Sequence, residues 1–166
     1  GHRSFTVVRH PLARAHAAFV EAIQRQRPEL RQTLHRTHGV DLPKQLPEPG
    51  DVAVFRDAFA GFLRFLRSCT GGQSSLRVYA FWASQTAVLQ GFASQQIPDA
   101  VLREDRLAEG LAYLAAEVGL SAPTLPPPAA EGPVPLAAIY GPDLEEAARD
   151  AYARDYQGLG YGYWRP

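Results

Sequence analysis

The chain has 166 residues, 46% of them hydrophobic, and a formal net charge of zero, which suits a single domain over residues 1–166 with a sizeable apolar core. Its one cysteine, Cys69, excludes a disulfide framework and a cysteine-based metal site. No apolar run approaches the roughly 18 residues of a membrane span and no signal peptide is visible, so a cytoplasmic protein without a membrane span is expected.

The neutral total hides an asymmetry. Residues 1–40 carry seven arginines against Glu21 and Glu29, a balance of +5, whereas residues 99–155 carry eleven acids against four arginines, a balance of −7. A basic N-terminal part suits an anionic ligand such as a nucleotide, or a helix with a solvated basic face. No interleaved aromatic-basic pattern or finger motif occurs, which argues against nucleic acid as a partner. Lys44 is the only lysine beside sixteen arginines, and arginine is the side chain that grips phosphate and sulfate through two parallel N–H groups.

In chain order, Phe5–Val8 is a β-branched and aromatic run that reads as a buried strand. Arg9 and His10 break it, and Pro11 opens a helix expected over 12–26, whose apolar positions 12, 15, 19, 20 and 23 suit packing on a sheet. Strand, basic turn and helix start together place a guanidinium beside unpaired helix N–H groups, which is an anion site in physical terms. Glu29 to His38 forms a short second helix stopped by Gly39, followed by a Pro-containing loop over 42–50. Asp51 is a candidate N-cap for a strongly amphipathic helix running to about Ser68 and ended by Thr70-Gly71-Gly72.

The stretch 76–91 contains Trp82, read as core, and Gln85, read either as capping backbone groups or as touching a ligand. Pro98 to Glu104 reads as a short strand ending in a charged pair, with a helix over 105–118 closed by Gly119. Residues 121–135 hold six prolines and form a loop with no element of its own, able to lie over a binding cleft. A last helix runs from Asp143 to about Tyr156. Of the histidines, His16 is assigned to the helix surface, and His35 and His38 to charge at a helix end rather than to a metal pair, since no third ligand is apparent.

Arg9-His10-Pro11-Leu12-Ala13-Arg14, with an aromatic at Phe19, resembles the R-[DH]-P-x-x-R-x-x-S-x-[YF] signature of the sulfotransferase family 2 group, its bacterial nodulation-type members in particular. The family's serine falls on Ala17. Further on, Trp82 and Gln85 match an H-W-x-x-Q stretch, with Phe81 in place of the histidine. The order strand, Arg103-Glu104, helix, Gly119-Leu120 resembles the family's later βα unit, which often reads v-x-R-x-E-x-L. The ending Tyr152-x-x-Asp155-Tyr156-x-x-x-Gly160-Tyr161 is similar to the family's closing Y-x-x-D-Y-x-x-F-G-Y.

The resemblance thus covers the chain in order. It implies an α/β fold, helix-dominated with a small parallel sheet, like the P-loop-like sulfotransferase fold without its first strand-loop-helix. It implies transfer of a sulfuryl group from 3′-phosphoadenosine-5′-phosphosulfate (PAPS) to a hydroxyl, on a carbohydrate by analogy. Arg9 would hold the 3′-phosphate of the cofactor, His10 would donate to it or orient the turn, and Arg14 would support it directly or from behind.

The family's 5′-phosphosulfate loop has no counterpart after Gly1, so the chain reads as the C-terminal part of a longer enzyme, or as a reshaped member. The catalytic base is not identifiable. The rival readings are a non-catalytic nucleotide- or partner-binding protein on the same scaffold, and a plain helical interaction domain in which Arg9 makes structural ion pairs.

Overall fold

A computed structural model of the protein describes residues 3–25, 27–44, 52–73, 78–93, 97–128, 131–132 and 134–166. The elements among them are β1 (Phe5–Val8), α1 (Pro11–Gln24), α2 (Pro28–His38), α3 (Val52–Thr70), α4 (Gln85–Ala93), β2 (Ala100–Arg103), α5 (Leu107–Glu117), α6 (Leu136–Ile139), α7 (Pro142–Ala151) and α8 (Ala153–Gly158). A 3-10 turn, Glu104–Arg106, joins β2 to α5. The fold is helix-dominated α/β with a small parallel sheet, as expected from the sequence. None of the described helices is long and apolar enough to cross a membrane.

β1 and β2 pair in parallel with Phe5 opposite Ala100 and Val8 opposite Arg103. Parallel strands need a long crossover, and here it is supplied by α1 through α4. The start of the pairing is pinned by Asp99, whose carboxylate accepts from the Ser4 N–H at 2.7 Å and from the Ser4 hydroxyl at 3.0 Å. α5 covers one face of β2 closely because Gly110 has no side chain: a Cβ there would lie 2.8 Å from Leu102 Cδ2.

The main core lies between α1, α3 and α7. Leu12, Ala15, Phe19, Val20 and Ile23, the stripe read from the sequence, are all buried, and Phe19 meets Phe55, Phe59 and Phe62 of α3 with ring centroids 5.1–5.4 Å apart. Trp82 is fully buried between Phe62, Phe65, Tyr79 and Phe81, which bears out its reading as core. Burying an aromatic of that size contributes on the order of 2–3 kcal/mol.

Four expectations need correction or limits. β1 is not a buried strand: Phe5 and Val7 are exposed and only Val8 is buried, because the two-stranded sheet is covered closely at its carboxyl end alone. The last helix is two helices, broken at Tyr152 (φ −127°, ψ 35°), where the tyrosine is buried and its hydroxyl donates to the Trp82 carbonyl at 2.7 Å. His16 is not at the surface: it is 2% exposed, its Nε2 donates to the Val134 carbonyl at 3.0 Å, and its ring abuts Phe55 and Phe59 edge-on. Position 16 follows Leu12 by four and precedes Phe19 by three, so it lies on the buried stripe. The proposed cap Asp51 and most of the loop over 42–50 lie outside the described residues.

His35 and His38 also part ways. His35 Nδ1 lies 2.7 Å from Asp41 Oδ1, while His38 sits edge-on to Phe65 and burial holds its ring below the usual histidine value. His38 is therefore a poor source of helix-end charge. Among the described residues no cluster of histidine, cysteine, aspartate and glutamate could hold a metal.

Candidate functional site

The parallel register carries the argument from fold to site. Because Val8 pairs with Arg103, the next residues, Arg9 and Glu104, leave the sheet side by side at its carboxyl end. That end of a parallel sheet is where α/β folds place ligands. A cleft of about 1230 Å³ opens there. One wall is the solvent side of α1, from His10 through Ala13 and Ala17 to Gln24; the facing wall is Arg103 to Asp105 with Leu107. Leu125–Pro128 of the Pro-rich loop and the tail Gly162–Pro166 complete it, so the loop does border the cleft.

Arg9 sits at the mouth with its side chain 35% exposed, and its Nε lies 2.8 Å from Glu104 Oε2. Its peptide groups are fixed from the other side. Gln85 Oε1 accepts from the Arg9 N–H at 2.8 Å and Gln85 Nε2 donates to the Arg9 carbonyl at 2.8 Å. Of the two roles left open for Gln85, capping backbone is the one the structure shows.

His10 is the N-cap of α1. Its Nδ1 accepts from the Leu12 N–H at 3.2 Å, so Nε2 carries the proton and donates to the Gly162 carbonyl at 3.1 Å. The ring stands edge-on to Tyr156 and Tyr161. Burial lowers its pKa against the pull of the Gly162 carbonyl and of Glu145, favouring the neutral ring. Orientation of the turn is thus the role its hydrogen bonds display.

Arg14 points away from the cleft. Its Nη1 donates to the Ala83 carbonyl and its Nη2 to the Ala80 carbonyl at 2.6 Å, tying α1 to the segment that leads into α4. It supports the turn from behind. Arg103 is bound on three sides: Nε and Nη2 engage Asp105 at 3.0 and 2.6 Å, Nη1 donates to the Gly160 carbonyl at 2.7 Å, and the guanidinium lies 4.1 Å from the Tyr161 ring centroid.

The motif near the C-terminus is bracing rather than chemistry. Buried Asp155 caps α4, accepting from the Ser84 hydroxyl at 2.6 Å and from the Gln85 and Thr86 N–H groups at 2.8 and 2.9 Å. The Tyr161 hydroxyl donates to the Val8 carbonyl at 3.0 Å, and burial pushes its pKa up to about 12. Gly160 turns the chain at φ 67°, a left-handed conformation that costs a side-chain-bearing residue, so that Tyr161 reaches β1.

One residue escaped the sequence reading. Glu145 is completely buried on α7; it accepts from the Tyr156 hydroxyl at 2.8 Å and the Trp164 N–H at 3.0 Å, and lies 3.9 Å from His10 Nε2. It anchors the tail that forms one end of the cleft. A signal was present, since position 145 precedes Ala148 by three on the packed face. The tail itself, 162–166, carries no pattern that announces a cleft wall.

Taken together, the structure places Arg9 and His10 on the cleft and Arg14 behind it. Comparison with family models, with curated proteins and with solved structures finds no match to this chain in any of the three.

Proposed function

We propose that this chain is a sulfotransferase-like protein that binds the 3′-phosphate of PAPS and serves transfer of its sulfuryl group to a hydroxyl of a carbohydrate acceptor. The observation that carries the reading is the Arg9 side chain, 35% exposed, at the carboxyl end of a parallel strand, on a cleft of about 1230 Å³. That volume exceeds the roughly 300–1,000 Å³ of ordinary small-ligand clefts, so a nucleotide fits with room for an acceptor. PAPS supplies the sulfuryl group. The chain's own part is to bind the 3′-phosphate with Arg9, to orient the turn with His10 and to brace it with Arg14. The likeness to the sulfotransferase family 2 signature supports the same assignment by analogy.

Calorimetry with 3′-phosphoadenosine-5′-phosphate tests it. Arg9→Ala should weaken binding by about tenfold or more, the cost of a charged hydrogen-bonding partner. Arg27, whose guanidinium lies 4.6 Å from the Tyr79 ring centroid, is the control, and Arg27→Ala should bind as the wild type does. Equal effects from the two would remove the assignment.

A second reading has its own observation. Both guanidinium groups at the strand ends, Arg9 and Arg103, are already matched with carboxylates of the chain, Glu104 and Asp105. A site that neutral suits a non-catalytic nucleotide- or partner-binding protein on the same scaffold. Nucleotide binding without sulfuryl transfer to any carbohydrate tested is the result that favours it.

A further inference from the structure

The contact between Arg9 and Glu104 is a property of the fold. The register ends with Val8 opposite Arg103, which sets the next pair of residues side by side whatever the ligand. Three features make the contact exchangeable. Glu104 is 50% exposed, so leaving Arg9 returns its carboxylate to water. The Arg9 backbone is held at both peptide groups by Gln85, so only its side chain moves. Asp105, the other carboxylate beside it, is tied to Arg103 through two hydrogen bonds, and Arg103 is itself fixed on the Gly160 carbonyl.

From these we infer that Glu104 is an internal competitor, a carboxylate that occupies the Arg9 guanidinium until a phosphate monoester displaces it. The inference rests on the nucleotide reading given above and adds its gate. A doubly charged phosphate monoester offers more charge and more acceptor oxygens than the single carboxylate it displaces. Groups of one negative charge gain little by the exchange. The contact therefore lowers the affinity of every ligand that must take Arg9 from Glu104, and a phosphate monoester has the charge to bear that loss.

The test is calorimetry of the full chain with 3′-phosphoadenosine-5′-phosphate and with adenosine 5′-phosphate, on wild type, Glu104→Gln, Glu109→Gln and Arg9→Ala. Glu104→Gln should bind the bisphosphate about fivefold more tightly, the change that removing one half-exposed competing ion pair allows. Adenosine 5′-phosphate, which has no 3′ group for Arg9 to hold, should bind to it as to wild type, so this variant separates the two nucleotides more sharply. Glu109 pairs with Arg106 at 2.7 Å outside the cleft, and Glu109→Gln should leave both affinities unchanged. Unchanged or weaker binding by Glu104→Gln, beside wild-type binding that Arg9→Ala weakens about tenfold or more, overturns the gate alone. Absence of binding by wild type and Glu104→Gln alike overturns the nucleotide reading and the gate with it.

Discussion

Gln85 holds both peptide groups of Arg9, accepting from its N–H and donating to its carbonyl, each at 2.8 Å. The two residues are 76 positions apart, and their contact joins the N-terminus of α4 to the end of β1. Asp155 in turn caps α4 at Gln85, so the segment after α7 fixes the turn after β1 through one intermediary. The site's key side chain rests on a backbone that is fully hydrogen-bonded from behind.

That arrangement predicts a stability cost at a residue that does not line the cleft. Gln85→Ala strips a partner from each of two part-buried peptide groups at once, and should destabilise the protein by about 2–3 kcal/mol. Urea unfolding followed by circular dichroism reads it as a lower midpoint with unchanged slope. A loss below about 0.5 kcal/mol would mean that water replaces the amide at both groups, and that the turn does not depend on it.

Much of this scaffold is legible in the sequence where one physical signal dominates. The α1 stripe, the Pro11 start and a strand within 98–104 need only periodicity and local backbone preference, and the structure has each of them, the strand over Ala100–Arg103. What the pattern hides is tertiary. The helical period of Leu144, Ala147, Ala148, Ala151 and Tyr152 runs on without a fault, yet the backbone breaks at Tyr152 because its hydroxyl is drawn to the Trp82 carbonyl. His16 and Glu145 both occupy stripe positions, where a polar residue reads as surface until a partner 118 residues away, or a tail N–H, is known to satisfy it. The place of Arg9 and His10 on the cleft is legible because a strand end and a helix start meet there. Arg14 was not separable from them by sequence, since the carbonyls it binds belong to the stretch before α4.

Acidification should weaken the fold in a definite order. Burial lowers the pKa of His10, His16 and His38 below the ordinary 6.5. In the window beneath 6.5 the unfolded chain therefore binds more protons than the folded one, and stability falls as pH drops through it. Asp99, Asp105 and Asp143, held below 3.8 by their hydrogen bonds to Ser4, Arg103 and Arg56, add a second loss only as pH falls below that value. Urea midpoints at about pH 7.5, 6 and 5 should decline steadily. The decline should be shallower in His16→Phe, which keeps a ring against Phe55 and Phe59 but cannot titrate. A midpoint constant across that range would show that the three imidazoles are not desolvated as described.

The last prediction is a gain. Ala17 is an exposed residue of α1 on the cleft wall, two turns beyond Arg9, at the position where the family signature has serine. On the nucleotide reading its methyl faces the ligand and offers no donor. Ala17→Ser adds a hydroxyl that can donate to a phosphate oxygen, at a helix-propensity cost of about half a kcal/mol or less. A net gain of about 1 kcal/mol from one hydrogen bond corresponds to about fivefold tighter binding of 3′-phosphoadenosine-5′-phosphate. Adenosine 5′-phosphate, which lacks the 3′ group, should be bound no better by the variant. Equal improvement for both nucleotides would place the new hydroxyl elsewhere on the ligand, and no improvement for either would mean that the phosphate does not reach this part of α1.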